Sequence, residues 1–61
     1  MKISIIIPTY NRAKLLERAI ISVLSQTYQE YELIVVDDGS EDETKEVCER
    51  FQNVHYLYQE N

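Results

Sequence analysis

Three short apolar runs, separated by segments with helical spacing, constrain the fold of this chain of 61 residues most strongly. The first two runs are rich in β-branched residues, and Pro8, which has no N–H for a sheet hydrogen bond, closes the first. The polar sequence Asp-Asp-Gly-Ser ends the second run. These features predict strands over residues 3–8, 32–37 and 54–58.

The segments between the predicted strands have the patterns of amphipathic helices. Apolar residues recur at helical intervals over residues 12–26, and Asn11 stands in the N-cap position. In the second segment Ser40 and Glu43 form a capping-box pattern. Acidic residues 41–43 then fall in the first turn, where they suit the positive end of the helix dipole better than a metal site. The chain therefore has the order β-α-β-α-β.

Strands that are separated by helices pair in parallel through right-handed crossovers. The predicted fold is an α/β unit with a three-stranded parallel sheet, in the order 3-2-1, and both helices on one face. Both faces of the first two strands are nevertheless apolar. One layer of helices leaves one face bare. The sequence thus predicts either the first part of a larger α/β domain or association through the bare face or the first-strand edge.

Charge and cysteine content exclude several classes of function. The net charge is −5, and residues 29–61 hold ten Asp or Glu against two Lys or Arg. This acidic half is unsuited to binding nucleic-acid phosphates. No apolar run approaches the roughly 20 residues of a membrane span. The single Cys48 fits a small core residue in a reducing, cytoplasmic setting.

Ligands of an open parallel sheet bind beyond the carboxyl ends of its strands, which makes residues 9–12, 37–40 and 59–61 the candidate site. The first turn lacks the glycines of dinucleotide-binding and phosphate-binding loops, so side chains must hold any nucleotide base. Tyr10 offers a flat face for stacking. Asp38 offers an acceptor for the N3–H of uracil, where cytosine has an acceptor instead.

Several candidate residues also have a structural interpretation, and Arg12 has a possible role in binding phosphate. Tyr10 is an isolated aromatic residue that can pack at a strand end. Asp37 and Asp38 can form the turn and assist the second helix. Arg12 lies at the start of the first helix, within reach of a phosphate at the helix N-terminus. His55 fits a solvent-facing or cross-strand residue, because no second ligand-type residue is spaced to join it.

The ordered set of motifs closely resembles the start of family 2 glycosyltransferases. The matching segments are residues 4–12 (SIIIPTYNR), 24–28 (LSQTY), 32–40 (ELIVVDDGS) and 58–61 (YQEN). The resemblance spans nearly the whole chain. It implies a Rossmann-like GT-A fold whose N-terminal half binds the nucleotide of a sugar-nucleotide donor, with UDP as the expected nucleotide.

The resemblance also implies roles for individual residues. In such enzymes the tyrosine matching Tyr10 stacks on the base, and the aspartate matching Asp38 hydrogen-bonds the base. The expected nucleotide-binding residues are Pro8, Thr9, Tyr10, Asn11, Arg12, Asp37, Asp38 and Gly39.

Family members transfer sugars with inversion, using a divalent metal (Mg or Mn) held by an Asp-x-Asp motif and a carboxylate base. No Asp-x-Asp follows the third predicted strand. We therefore expect residues 1–61 to form a partial domain that contains no catalytic residue or metal ligand and binds the donor without transferring its sugar. The complete enzyme is expected in the cytoplasm, at the inner face of the membrane.

Two other functions fit parts of the pattern. A phosphoreceiver signalling domain also has an acidic pair after a short apolar strand, but there the pair follows the first strand and a phosphoacceptor Asp ends the third. The other alternative is a self-associating structural unit without a ligand, in which the acidic turn only caps the second helix. Whichever of these functions the chain has, the bare face of the sheet favours a homo-oligomer.

Overall fold

A computed structural model describes residues 3–26 and 30–60. The elements are β1 (Ile3–Thr9), α1 (Ala13–Leu24), β2 (Tyr31–Asp38), α2 (Thr44–Glu49) and β3 (Val54–Gln59). The predicted order of strands and helices is confirmed. The strands are one or two residues longer than predicted, and α1 is shorter at both ends. Residues 27 and 28 of the family-like segment, and Asn61, lie outside the described residues.

The three strands form one parallel sheet with β2 in the centre, which confirms the predicted strand order. Side chains alternate between the two faces of a strand, so neighbouring residues in the register share a face. Three rows of side chains cross the face that packs against the helices, which we call the covered face: Ile5–Leu33–Val54, Ile7–Val35–Tyr56 and Thr9–Asp37–Tyr58.

The core lies between the covered face and the two helices. Leu33 and Val35 of the central strand are fully buried there, each with 0% of its surface exposed. The helices contribute residues at helical spacing, so that one stripe of each helix faces the sheet. The buried residues of the helices are Ala13, Leu16, Ile20, Val47 and Cys48. The predicted core role of Cys48 is confirmed.

The opposite face of the sheet, which we call the uncovered face, carries the alternate residues of the same strands. Its side chains are Ser4, Ile6, Pro8, Glu32, Ile34, Val36, Asp38, His55, Leu57 and Gln59. Ile6 is 60% exposed and Leu57 is 56% exposed, because α1 and α2 both pack on the other side. The predicted bare apolar face is therefore present. Within the described residues, neither helix is long and apolar enough to cross a membrane.

The start of α1 differs from the prediction that Asn11 is its N-cap. The N-cap residue is Arg12, whose side chain makes no capping hydrogen bond. The Asp42 carboxylate instead accepts a hydrogen bond from the N–H of Ala13 at 3.2 Å. The cap thus comes from a turn 29 residues further along the chain, which local sequence patterns do not reveal.

The start of α2 also differs, and the predicted Ser40–Glu43 capping box is wrong. Glu43 is the N-cap residue and makes no side-chain capping bond. Asp42 accepts hydrogen bonds from Thr44, from its N–H at 3.0 Å and from its hydroxyl. Acidic residues 41–43 consequently precede the helix and do not lie in its first turn, because Asp42 turns the chain before α2 begins.

Candidate functional site

The carboxyl ends of the strands lie side by side at one edge of the sheet. In the last shared row of the register, Thr9 of β1 lies beside Asp37, and Asp37 lies beside Tyr58 of β3. Two turns extend beyond this row, residues 10–12 after β1 and residues 39–43 after β2. Ligands of open parallel sheets bind at this edge.

Asp37 lies beneath these turns on the covered face, with 1% of its surface exposed. Its Oδ1 accepts a hydrogen bond from the N–H of Ser40 at 2.9 Å. Its Oδ2 accepts a hydrogen bond from the hydroxyl of Tyr56 at 2.5 Å. Both oxygens are therefore engaged within the protein, and Asp37 supports the turn from below.

The surroundings of Asp37 change the acidity of two neighbouring groups. Burial, together with the hydrogen bond to Asp37, raises the pKa of Tyr56 above its ordinary value. Burial and the nearby charges of Asp37 and Glu49 raise the pKa of the Cys48 thiol to about 11. Both groups are neutral at pH 7, so Cys48 does not have the thiolate character of a nucleophilic cysteine.

Asp38 is on the other face, because successive residues of a strand alternate. It is half-buried, and its Oδ1 accepts a hydrogen bond of 3.4 Å from the Nε2 of Gln59. Gly39 follows with a φ of 86°, a left-handed conformation that glycine adopts without a steric penalty. The carboxylate of Asp38 thus lies at the surface of the sheet edge, next to a sharp turn.

The turn after β1 holds an exposed aromatic ring next to a left-handed residue. Tyr10 is 47% exposed. Asn11 has a φ of 48°, and its N–H donates a hydrogen bond to the Oγ of Ser40 at 2.7 Å. The Oδ1 of Asn11 accepts a hydrogen bond from the N–H of Glu41, also at 2.7 Å. These two bonds join the turns that follow β1 and β2.

All eight residues predicted to bind a nucleotide lie at this sheet edge, but at different depths. Thr9 and Asp37 are buried on the covered face. Gly39 and Asp38 are half-buried. The exposed residues are Pro8, Tyr10, Asn11 and Arg12.

Sequence reasoning missed two residues that organise this edge, Tyr56 and Asp42. Tyr56 of β3 donates a hydrogen bond to Asp37. The alternation of side chains along β3, which puts Tyr56 on the covered face, was the signal in the sequence that could have identified it. Asp42 links the starts of both helices. Its signal was the spacing Asp-x-Thr before an apolar helical pattern, which is typical of a side-chain capping turn. The carboxyl group of Asp42 has a lowered pKa, chiefly because the Thr44 hydroxyl donates a hydrogen bond to the ionised form.

A cavity of about 430 Å³ opens between the β2–α2 turn and the end of β3. Its lining combines carboxylates with two tyrosines and one cation: Asp37, Ser40, Glu41, Asp42, Lys45, Glu46, Tyr56 and Tyr58. The cavity adjoins the covered side of the sheet edge. Asp38 and Tyr10 do not line it.

The resemblance to family 2 glycosyltransferases implies a divalent metal. Within residues 3–26 and 30–60, no three His, Cys, Asp or Glu side chains are grouped so that they could hold a metal ion. The oxygens of Asp42, in the most acidic turn, already accept hydrogen bonds from Ala13 and Thr44. The described side chains therefore do not form a metal site among themselves.

The sequence of the chain is similar to that of known glycosyltransferases. The family model for glycosyl transferase family 2 matches residues 4–61. An uncharacterized glycosyltransferase of Rickettsia prowazekii is 50% identical over 60 residues, which cover 97% of this chain and 19% of that protein. Glycosyltransferase GlyG of Streptococcus pneumoniae is 44% identical over 63 residues, which cover 97% of this chain and 21% of that protein.

A third relative carries a more specific name, the GalNAc(5)-diNAcBac-PP-undecaprenol beta-1,3-glucosyltransferase of Campylobacter jejuni. It is 49% identical over 51 residues, which cover 84% of this chain and 16% of that protein. The chain thus spans about a fifth of the length of these curated relatives. Because the family model covers the parallel sheet, both helices and both turns of the sheet edge, this chain belongs to glycosyl transferase family 2.

Proposed function

We propose that the sheet edge formed by the ends of β1 and β2 binds the nucleotide of a sugar-nucleotide donor, and that this nucleotide is UDP. One observation carries the proposal. Tyr10 is 47% exposed at the end of β1, and Asp38 lies at the surface end of the neighbouring strand β2, while Asp37 is turned beneath the site. An aromatic face and an accessible carboxylate are thus presented by adjacent strand ends.

The chemistry of these two groups favours a uracil base. The ring of Tyr10 stacks on the base. The carboxylate of Asp38 accepts a hydrogen bond from the N3–H of uracil, whereas the N3 of cytosine is itself an acceptor and leaves Asp38 unpaired. Around this pair, the exposed Pro8 forms the wall next to Tyr10, the buried Thr9 supports the strand end beneath it, and Arg12 lies on the phosphate side. The buried Asp37 and the left-handed Gly39 shape the turn that carries Asp38.

The proposed reaction of the longer protein is glycosyl transfer with inversion from the UDP-sugar to an acceptor hydroxyl. Such a reaction needs a group that stabilises the leaving diphosphate and a base that deprotonates the acceptor. We assign both to residues outside this chain, which spans about a fifth of its relatives. In this proposal residues 1–61 form the donor-binding segment of a larger cytoplasmic domain and bind the donor without turnover.

The proposal is tested by titrating the ¹⁵N-labelled chain with UDP and CDP while amide NMR shifts are recorded. We expect saturable shifts in residues 8–12 and 37–40 with UDP and weaker binding of CDP. Tyr10→Ala should weaken UDP binding by about 1–3 kcal/mol, the usual contribution of base stacking. Leu15→Ala is the matched control, because Leu15 is similarly exposed, at 54%, on α1 away from the site.

Two results would contradict the proposal. Shifts confined to other parts of the chain would exclude this sheet edge as the nucleotide site. Equal affinity for UDP and CDP would exclude Asp38 as the group that selects the base, since the N3 position donates to a carboxylate in uracil and is an acceptor in cytosine.

A second candidate function rests on the uncovered face, and we infer that this face binds a second copy of the chain. Ile6 and Leu57 are more than half exposed there, beside the partly buried Ile34 and Val36. A twofold dimer covers the same patch on both copies and pairs or protects the open edge of β1. If this were the only function, the chain would self-associate and UDP would leave its NMR spectrum unchanged.

A further inference from the structure

We propose that Asn11 is a positioning residue that sets the separation of Tyr10 and Asp38. The proposal rests on the proposed function, because it assigns how the two base-contacting groups are held. It differs from a direct contact between Asn11 and the nucleotide. Asn11 acts instead through its hydrogen bonds to the turn after β2.

Two hydrogen bonds of opposite direction cross between the turns at Asn11. Its backbone N–H donates to the Oγ of Ser40, and its side-chain Oδ1 accepts from the N–H of Glu41, both at 2.7 Å. The partners are 29 and 30 residues away in the chain. Asn11 therefore makes two of the hydrogen bonds that connect two loops far apart in the chain.

The backbone of Asn11 is matched to this task. Its φ of 48° is left-handed, and it is the one positive φ of a non-glycine residue among the residues described. Asparagine tolerates this region better than most residues, since its short amide forms local hydrogen bonds. The residue identity thus serves both the conformation of the first turn and the bridge to the second.

The bridge lies close to both proposed base contacts. Tyr10 immediately precedes Asn11, and Asp38 lies two residues before Ser40. Ser40 is itself held from below, because its N–H donates to the buried Asp37 at 2.9 Å. A continuous set of hydrogen bonds therefore runs from the core, through Ser40, to the turn that carries Tyr10. Loss of the bridge loosens the link between the two proposed base contacts, while the hydrogen bond from the Ala13 N–H to Asp42 still joins the two segments.

Four variants separate the bridge from the backbone conformation. Asn11→Gly keeps the left-handed region accessible but removes the Oδ1 acceptor, and Asn11→Asp retains an acceptor. Ser40→Ala removes the partner of the Asn11 N–H, and Ser40→Thr retains the hydroxyl. Ser25→Ala is the control, because it deletes a hydroxyl that donates to Ser22 at 2.9 Å, on the last turn of α1.

The measurement is the ratio of UDP affinity to CDP affinity for each variant. It is made at a temperature at which the NMR spectrum shows that the variant is folded. We expect Asn11→Gly and Ser40→Ala each to weaken UDP binding by roughly fivefold, the effect of one hydrogen bond, and to bring the ratio towards one. Asn11→Asp, Ser40→Thr and Ser25→Ala should retain the ratio. The Asn11→Gly/Ser40→Ala double variant should bind UDP more weakly than either single variant, because the two substitutions remove different hydrogen bonds of the bridge.

The outcomes separate this inference from the proposed function. If the unmodified chain binds UDP at residues 8–12 and 37–40 but Asn11→Gly and Ser40→Ala keep the ratio, the positioning role is wrong and the nucleotide site stands. An equal loss of UDP and CDP affinity in Asn11→Gly, with Ser40→Ala unaffected, assigns Asn11 to direct contact and also overturns the inference. If the unmodified chain does not bind UDP, the proposed function fails and the inference fails with it.

Discussion

The covered and uncovered faces of the sheet are built from alternate residues of the same three strands, yet their environments differ completely. Leu33 and Val35 are 0% exposed on the covered face, whereas Ile6 is 60% exposed and Leu57 is 56% exposed on the other. Both sets are aliphatic. The apolar residues of a strand therefore indicate how much of its surface has to be buried. The placement of the helices decides which face of the sheet is buried within this chain.

The same alternation separates two identical neighbours at the sheet edge. Asp37 points to the covered face and is 1% exposed, with hydrogen bonds from Ser40 and Tyr56. Asp38 points to the uncovered side and is half-buried. One carboxylate therefore supports the fold while the next remains accessible to a ligand. Substitutions matched across the two faces test this contrast most directly.

The largest expected effect is on the free energy of unfolding, when a leucine of the covered face is truncated and compared with a leucine of the uncovered face. Leu33→Ala should lower the free energy of unfolding by about 2–5 kcal/mol, because it leaves a cavity among fully buried neighbours. Leu57→Ala should change it by less than about 1 kcal/mol, since Leu57 is 56% exposed. Urea denaturation followed by circular dichroism at one low protein concentration compares them. Similar losses for the two variants would contradict the contrast between the faces.

The next effect distinguishes the adjacent aspartates. Asp37→Ala leaves the Tyr56 hydroxyl and the Ser40 N–H without their acceptor, so we expect it to reduce the free energy of unfolding by about 1–3 kcal/mol. Asp38→Ala should change stability by about 0.5 kcal/mol or less and should weaken UDP binding instead. Denaturation and nucleotide titration of both variants provide the two readouts. The reverse assignment of stability and binding would show that the two residues have exchanged roles.

A charge on the uncovered face should disrupt self-association. We expect the 61-residue chain to form a dimer or larger species, and we expect Ile6→Glu to weaken the association by about tenfold or more, equivalent to about 1.4 kcal/mol. Leu15→Glu is the control, because Leu15 is 54% exposed on α1 and lies outside the face. Sedimentation equilibrium across a dilution series measures both. A well-folded monomer of the unmodified chain, without dye binding to apolar surface, would contradict the dimer.

The smallest effect concerns acid and the cap shared by the two helices. Asp42 has a pKa lowered from 3.8, chiefly by the hydrogen bond from the Thr44 hydroxyl. A lowered folded-state pKa adds stability above the unfolded value, and this stability is lost as pH falls through the folded-state pKa. We expect Asp42→Asn to reduce the fall in stability below about pH 4. Thermal unfolding at pH 3 and pH 7 checks this, with Glu49→Gln as an exposed control. An unchanged pH dependence would remove Asp42 as a contributor.

Much of the fold was predictable because the relevant signals are local. The β-branched runs, Pro8 and the polar sequence beginning at Asp37 predicted the first two strands, and helical spacing predicted the helices. The candidate site was located from topology alone, since the carboxyl ends of parallel strands meet at one edge. The helix caps could not be predicted in this way. Asn11 bonds to the turn that holds Ser40, and Asp42 accepts a hydrogen bond at the start of α1. The sequence patterns predict Asn11 as the local N-cap of α1 and Asp42 as a residue of the first turn of α2.

The sequence by itself determined the order of elements, the parallel pairing and the presence of apolar residues on both faces of the sheet. These properties depend on periodicity over two to four residues, which is written directly in the chain. The tertiary structure decided which face is covered, which aspartate is buried and how the two turns are joined. Those outcomes depend on contacts between residues about 20 to 30 positions apart, such as Tyr56 with Asp37 and Asn11 with Ser40. Such contacts exist only after the strands have paired and the helices have packed, because packing brings the donors and acceptors within hydrogen-bonding distance.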